Sequence, residues 1–150
     1  MSDRVVRDAD YASKIRASFD RQRAMALMGA RLGRVEPGEV EIELPFSEEI
    51  VQQHGFVHAG VITSIADSAA GYAARTLMDA GSAVMSVEFK VNLLAPAAGD
   101  RFVARGEVIR SGKTLTVCRS DVHAHQGGET RLIATLLATM MRLTDRGFED

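Results

Sequence analysis

The 150-residue chain has one cysteine, no tryptophan, three prolines and no large surplus of either charge. The lone thiol, Cys118, excludes an intrachain disulfide and a cysteine metal cluster. A chain of this length buries roughly two-thirds of its unfolded surface, so a packed core can replace such staples. With 18 basic against 20 acidic residues and a net charge of −2, a strongly cationic nucleic-acid surface over the whole chain is excluded. A modest basic excess in the first 34 residues reads as a solvated helix face, not a DNA-binding one. Long apolar runs are also missing. Leu132–Met141 is interrupted by Thr135 and Thr139 and bounded by Arg131 and Arg142, about half the length of a membrane span. The first eight residues carry no apolar export segment, so a cytoplasmic location is expected. Hydrophobic residues at 46% and charged residues at 25% exclude wholesale disorder. No linker or repeat interrupts the chain. A single domain over 1–150 is expected, with a helical segment over 1–29 and a core over about 30–145.

Periodicity predicts the elements. Tyr11, Ile15 and Phe19 make one apolar stripe after a capping Asp10, and Gly29 stops the helical segment. From Ala30 the period becomes two. Residues 32–36 and 39–46 flank Pro37-Gly38 as a hairpin, with Val40, Ile42, Leu44 and Phe46 opposite Glu39, Glu41 and Glu43. Residues 61–79 then read as a long central helix, rich in Ala and Gly on several faces. Alternation resumes over 85–93, where Met85, Val87, Phe89, Val91 and Leu93 interleave with Ser86, Glu88, Lys90 and Asn92. It continues over 101–110, 114–125 and 130–144, the last strand apolar on both faces and therefore interior to the sheet. The fold class is α+β: a short N-terminal helix, a hairpin, one long helix and a three-stranded meander.

Asp67 carries the most information. It sits mid-helix among alanines with no Lys or Arg within four residues. It is either a surface carboxylate on a misplaced helix or a carboxylate put to use, and the small residues around it favour use. The stretch from His54 to Gly60 leads into that helix, whose first N–H groups have no internal partner and form the positive end of its dipole. Other candidates fall away. Gly106…Gly112-Lys113-Thr114 has the wrong glycine spacing for a phosphate loop and is followed by a strand. Asp121, His123 and His125 share a strand face, read as an exposed strand end in preference to a metal site. Cys118 reads as a packed thiol.

The segment His58-Ala59-Gly60-Val-Ile-Thr-Ser-Ile-Ala66-Asp67-Ser68-Ala-Ala-Gly71 resembles the signature of hotdog-fold acyl-CoA thioesterases of the phenylacetate-degradation (PaaI) type. Ser86–Ala97, with Asn92 and Pro96, is similar to the family's strand after the helix, and Arg110-Ser111-Gly112-Lys113-Thr114 to its next turn. The resemblance implies an antiparallel sheet of five or six strands wrapped around the central helix, and hydrolysis of an acyl-CoA without metal or organic cofactor. It implies that the N–H of Ala59 holds the thioester oxygen and that Asp67 acts as base or nucleophile. His58 and Gly60 complete the motif, Gln52 falls where the family carries an Asn, and Ser86 helps hold the water. Arg110, Ser111, Gly112 and Lys113 are implied in binding CoA phosphates. The chain departs from the pattern in Ala59 for glycine, in Gln52 for Asn, and in Leu94-Ala95-Pro96, which lacks an arginine. A hotdog hydratase and a non-catalytic acyl-CoA binder are the alternatives. Few aromatics and seven methionines favour a medium or long aliphatic acyl chain over a hydroxyphenylacetyl group.

Eight residues separate Ala59 from Asp67, roughly 12 Å along a helix axis. One aspartate cannot span that gap. If both serve one reaction, the expected assembly is a homodimer with shared sites, or a tetramer built as a dimer of dimers. No nucleic-acid or membrane partner is expected.

Overall fold

The computed structural model describes residues 4–144 and 147–148. Two short helices, α1 (Tyr11–Arg21) and α2 (Arg23–Met28), precede the hairpin β1 (Arg31–Glu36) and β2 (Glu39–Pro45). The long helix α3 (Ala59–Arg75) follows, and then β3 (Ala83–Leu93), β4 (Arg101–Ser111), β5 (Leu115–Gln126) and β6 (Glu129–Leu143). The strands form one six-stranded antiparallel sheet in the order β1-β2-β4-β5-β6-β3. It wraps α3, as expected. β6 lies between β5 and β3, interior to the sheet as expected, but only its inner face is buried: on the outer one Leu132 and Leu137 are exposed.

Inward residues of alternating strands make the core. Val40, Ile42 and Leu44 on β2, Phe102 and Ala104 on β4, and Val122 on β5 are fully buried against Ile62, Ile65, Ala69 and Ala73 of α3. At Gly106 on β4 the sheet comes so close to α3 that a Cβ there would lie 2.2 Å from the Ala69 carbonyl oxygen. Glycine is what permits that approach. The other end of α3 is tied down by polar contacts. Gly38 N–H in the β1–β2 turn donates to Thr76 Oγ1 at 2.7 Å. Buried Arg75 lies 3.7 Å from Asp8, which also accepts from Lys14 at 2.8 Å.

Five expectations change. The N-terminal segment is two helices, because Gln22 leaves helical geometry at φ −80°, ψ 90°, and residues 4–8 are not helical. Asp10 stands at the N-cap without a side-chain bond, its own N–H donating to Asp8 Oδ1. α3 starts two residues early, at Ala59, and ends at Arg75. β2 stops at Pro45, leaving Phe46 largely exposed. The alternation along β3 is broken by a register shift between Ser86 and Glu88. The expected end of the core at 145 lies outside the described residues. Among the described residues, no helix is long and apolar enough to cross a membrane.

Candidate functional site

Helix α3 opens on His58, an N-cap at φ −60°, ψ 136° whose imidazole Nδ1 accepts from the Gly60 N–H at 2.8 Å. An accepting Nδ1 leaves the proton of the neutral ring on Nε2. The His58 carbonyl accepts from the N–H groups of Val61 and Ile62, at 3.0 and 3.2 Å. Three of the first four donors are thereby satisfied internally. The Ala59 N–H has no hydrogen-bond partner among the described residues. An open set of N–H groups was expected at this terminus. One donor is left, because the histidine that leads into the helix also caps it. Gly60 therefore offers no free donor.

Ala59 and His58 border an open, largely apolar cavity of about 620 Å³, lined also by Phe56, Ile62, Leu93 and Ile133. Gln52 lines the same cavity, its side-chain oxygen accepting from the His54 N–H within its own turn. Its longer side chain is thus folded back onto the loop. Leu94, Ala95 and Pro96 complete the wall.

Asp67 faces a different cavity, of about 370 Å³. The half-buried carboxylate accepts from Ser86 Oγ at 2.7 Å. Burial pushes its pKa above the ordinary 3.8, and the serine bond partly opposes that rise. The irregularity in β3 makes the contact possible. Ser86 pairs with inward Met140, while beyond the shift Phe89 and Val91 pair with inward Ala138 and Leu136. Strict alternation would put Ser86 and Phe89 on opposite faces; the extra residue turns both toward α3.

The rest of this cavity was not anticipated. Ser18, Arg21 and Gln22 from the N-terminal helices line it beside Ser68, Gly71 and Tyr72. Ser18 and Gln22 are spaced i, i+4, as are Ser68 and Tyr72, and two facing polar pairs at helical spacing were the available signal.

Arg110 and Ser111 end β4 beside a second register shift, between Val108 and Arg110. Gly112 N–H donates to the Leu115 carbonyl at 2.8 Å, closing the turn that exposes Lys113. Ser111 pairs with Thr116, Thr116 with Met140 and Met140 with Ser86. This turn therefore lies three strand spacings from Ser86, about 14 Å. On the strand end, Asp121 accepts from Thr135 at 2.6 Å and His125 pairs with Thr130 at 3.0 Å; among the described residues no three His, Cys, Asp or Glu side chains are grouped. Burial pushes the Cys118 thiol up to about 12, so it stays protonated and unreactive.

Comparison with known proteins agrees with this architecture. Residues 54–130 match the family described as the thioesterase superfamily. A putative esterase of Saccharolobus solfataricus, SSO1253, is 30% identical over 127 residues, which cover 85% of this chain and 82% of that protein. A second from the same organism, SSO2140, is 37% identical over 83 residues, or 55% of this chain and 59% of the relative's length. The crystal structure of a thioesterase family protein from Silicibacter pomeroyi superposes with a TM-score of 0.88 at 51% identity, covering 89% of this chain and 98% of that one. The six-stranded sheet wrapped around α3 is the hotdog fold, and the chain belongs to the thioesterase superfamily.

Proposed function

We propose that this protein hydrolyses acyl-CoA thioesters to free acid and CoA, at sites completed by two copies of the chain. The observation that carries the reading is the unspent N–H of Ala59 at the positive end of a 17-residue helix. A thioester carbonyl becomes an oxyanion in the transition state, and one positioned donor contributes about 3 kcal/mol there. Asp67 supplies the base. Its carboxylate takes a proton from water as the water oxygen attacks the carbonyl carbon. The C–S bond then breaks, and the departing CoA sulfur takes up a proton. A raised pKa suits that task. Ser86 orients the carboxylate from 2.7 Å, and Gln52 and His58 shape the oxyanion end. Arg110, Ser111, Gly112 and Lys113 hold the CoA phosphates.

Asp67 and Ala59 lie eight residues apart on α3 and border different cavities, so one chain cannot bring them to one carbon. A second copy can. β3 is an edge strand of 11 residues that exposes Met85, Val87, Phe89 and Leu93. An unpaired apolar edge is a template for strand addition. Antiparallel pairing of two such edges sets the Ser86 end of one strand against the Leu93 end of its copy. That brings each Asp67 cavity toward the other chain's Ala59 cavity.

Mixed-variant complementation tests this. Asp67→Asn removes the base and lowers turnover at least about 100-fold. Ala59→Pro removes the N–H at a position where proline suits a helix, and His58 already has the extended geometry a following proline requires. Refolded together, half the dimers are hybrids with one intact site, so about a quarter of wild-type CoA release returns. Hybrids that form, shown by mass spectrometry, yet release no CoA would overturn the shared site. Full activity in Asp67→Asn alone would overturn the base.

A further inference from the structure

The cavity beside Asp67 runs past the carboxylate toward the N-terminal helices, and its far wall is polar. Ser68 Oγ donates to Gln22 Oε1 at 3.1 Å, Gln22 Nε2 donates to the Tyr72 hydroxyl at 3.4 Å, and Ser18 Oγ lies 3.2 Å from the same hydroxyl. Tyr72 is itself buried, its ring tilted against Phe19. In these bonds Gln22 uses one of its two N–H groups and one of its carbonyl lone pairs. One further donor and one further acceptor remain on the amide, which borders the cavity.

Gly71 forms part of the wall, one helical turn after Asp67, about 6 Å along the axis. It lies inside α3, where glycine is the poorest helix former apart from proline. Packing does not require it, since a Cβ at this position would meet nothing within 4 Å. The space a side chain would fill is part of the cavity. This glycine therefore keeps room open between the carboxylate and the polar wall.

We infer that the cavity formed by Ser18, Gln22, Ser68, Gly71 and Tyr72 is an acyl-end subsite, and that it selects a short acyl group bearing a hydroxyl at its far end. The inference rests on the proposed hydrolysis, with the thioester carbon beside Asp67. From there an acyl group about one helical turn long reaches Gln22. A hydroxyl both donates and accepts, matching the two capacities left on the amide. An unsubstituted alkyl end would shut that amide away from water with both capacities unused. A carboxylate end would meet the Arg21 guanidinium as well as the Asp67 carboxylate in this cavity, but it only accepts, and so leaves the acceptor capacity of the Gln22 amide unused. The polar lining thus argues against the plain aliphatic chain that the methionine content favoured.

The test compares 6-hydroxyhexanoyl-CoA with hexanoyl-CoA and with adipyl-CoA, which ends in a carboxylate. With wild-type protein, kcat/KM for the hydroxylated substrate should exceed the others at least about tenfold. Gln22→Leu keeps the bulk without the amide and should reduce that preference to within about twofold. Gly71→Ala should lower kcat/KM for the hydroxylated substrate at least fivefold while raising the melting temperature. Equal rates for all three substrates, or a preference that survives Gln22→Leu in a folded protein, would overturn the subsite. Binding of the intact thioesters to Asp67→Asn, measured by calorimetry, separates the two levels. A hydroxyl preference in binding without hydrolysis by the wild type supports the subsite and refutes the proposed activity. Hydrolysis without a preference does the reverse.

Discussion

Gly106→Ala is the most revealing single substitution, because it probes the distance between sheet and helix directly. The added Cβ would lie 2.2 Å from the Ala69 oxygen, 2.3 Å from its carbonyl carbon and 2.6 Å from the Ala70 nitrogen. All three atoms are backbone, so no flexible side chain can swing aside. β4 and α3 must part locally by about 1 Å. Overpacking costs about 1–3 kcal/mol when side chains can adjust. With backbone on both sides the cost should reach about 3 kcal/mol. For a chain of this size that lowers Tm by about 6–12 °C. Asp67 lies two residues before Ala69, so a shift of that size also disturbs its 2.7 Å bond to Ser86. Misplacement by 1 Å can lower turnover by about 100-fold. Calorimetric melts and CoA release measured well below the lowered Tm read the two effects separately. A variant that melts within 2 °C of wild type would refute the argument from close approach.

The remaining predictions concern charge. Burial raises the Asp67 pKa above 3.8 and the Ser86 bond partly opposes the rise, so with Asp67 as the proposed base the acid limb of turnover should lie above that value. Ser86→Ala should move the limb to still higher pH; a limb that stays or falls in a kcat–pH profile rejects Ser86 as the carboxylate's partner. Asp8 is held below its ordinary range by Lys14, with a smaller contribution from Arg75, and Glu39 is held at about 2 by Arg4 and Arg105. Both folded pKa values are lowered, so their stabilisation is complete above the unfolded values and fades as pH falls through the folded ones. Melting temperature should therefore be insensitive to these groups above about pH 5 and decline toward pH 2. Asp8→Ala removes the carboxylate that lies 3.7 Å from buried Arg75 and accepts from Lys14, and should lower stability by about 1–3 kcal/mol; a Tm unchanged at neutral pH would contradict this.

Residues whose role is set locally were the ones the sequence disclosed. Val40, Ile42 and Leu44 alternate because one face of β2 is buried, and each is fully enclosed. Asp67 stood out because a carboxylate among alanines needs a reason, and its burial and its serine partner supply one. The features that escaped depend on distant chain. Nothing within β3 announces the extra residue that turns Ser86 inward, since the shift exists only against β6. The start of α3 was read late because Ala59 and Gly60 carry no apolar period, and because histidine is not a customary cap. Gln22 reads as an ordinary polar helix position until Ser68 and Tyr72, 46 and 50 residues away, are brought against it. The hairpin and the meander were legible separately. That β4 joins β2, sending β3 to the far edge, is a choice of topology that periodicity does not encode.

The two edges of the sheet are unlike, and that difference bears on where the proposed strand pairing would end. β1 carries Arg31, Arg34 and Glu36, has a register shift between Leu32 and Val35, and ties Arg34 to Glu36, Glu39 and Glu41. β3 offers apolar side chains over a long edge. Two adhesive edges would let copies add without limit, each new strand exposing another, and the product would be a fibre. One adhesive edge beside one guarded by charge is spent in a single pairing. In the proposed pairing, this asymmetry would cap growth of the sheet at twelve strands and keep the protein out of the polymers that an exposed apolar strand otherwise invites.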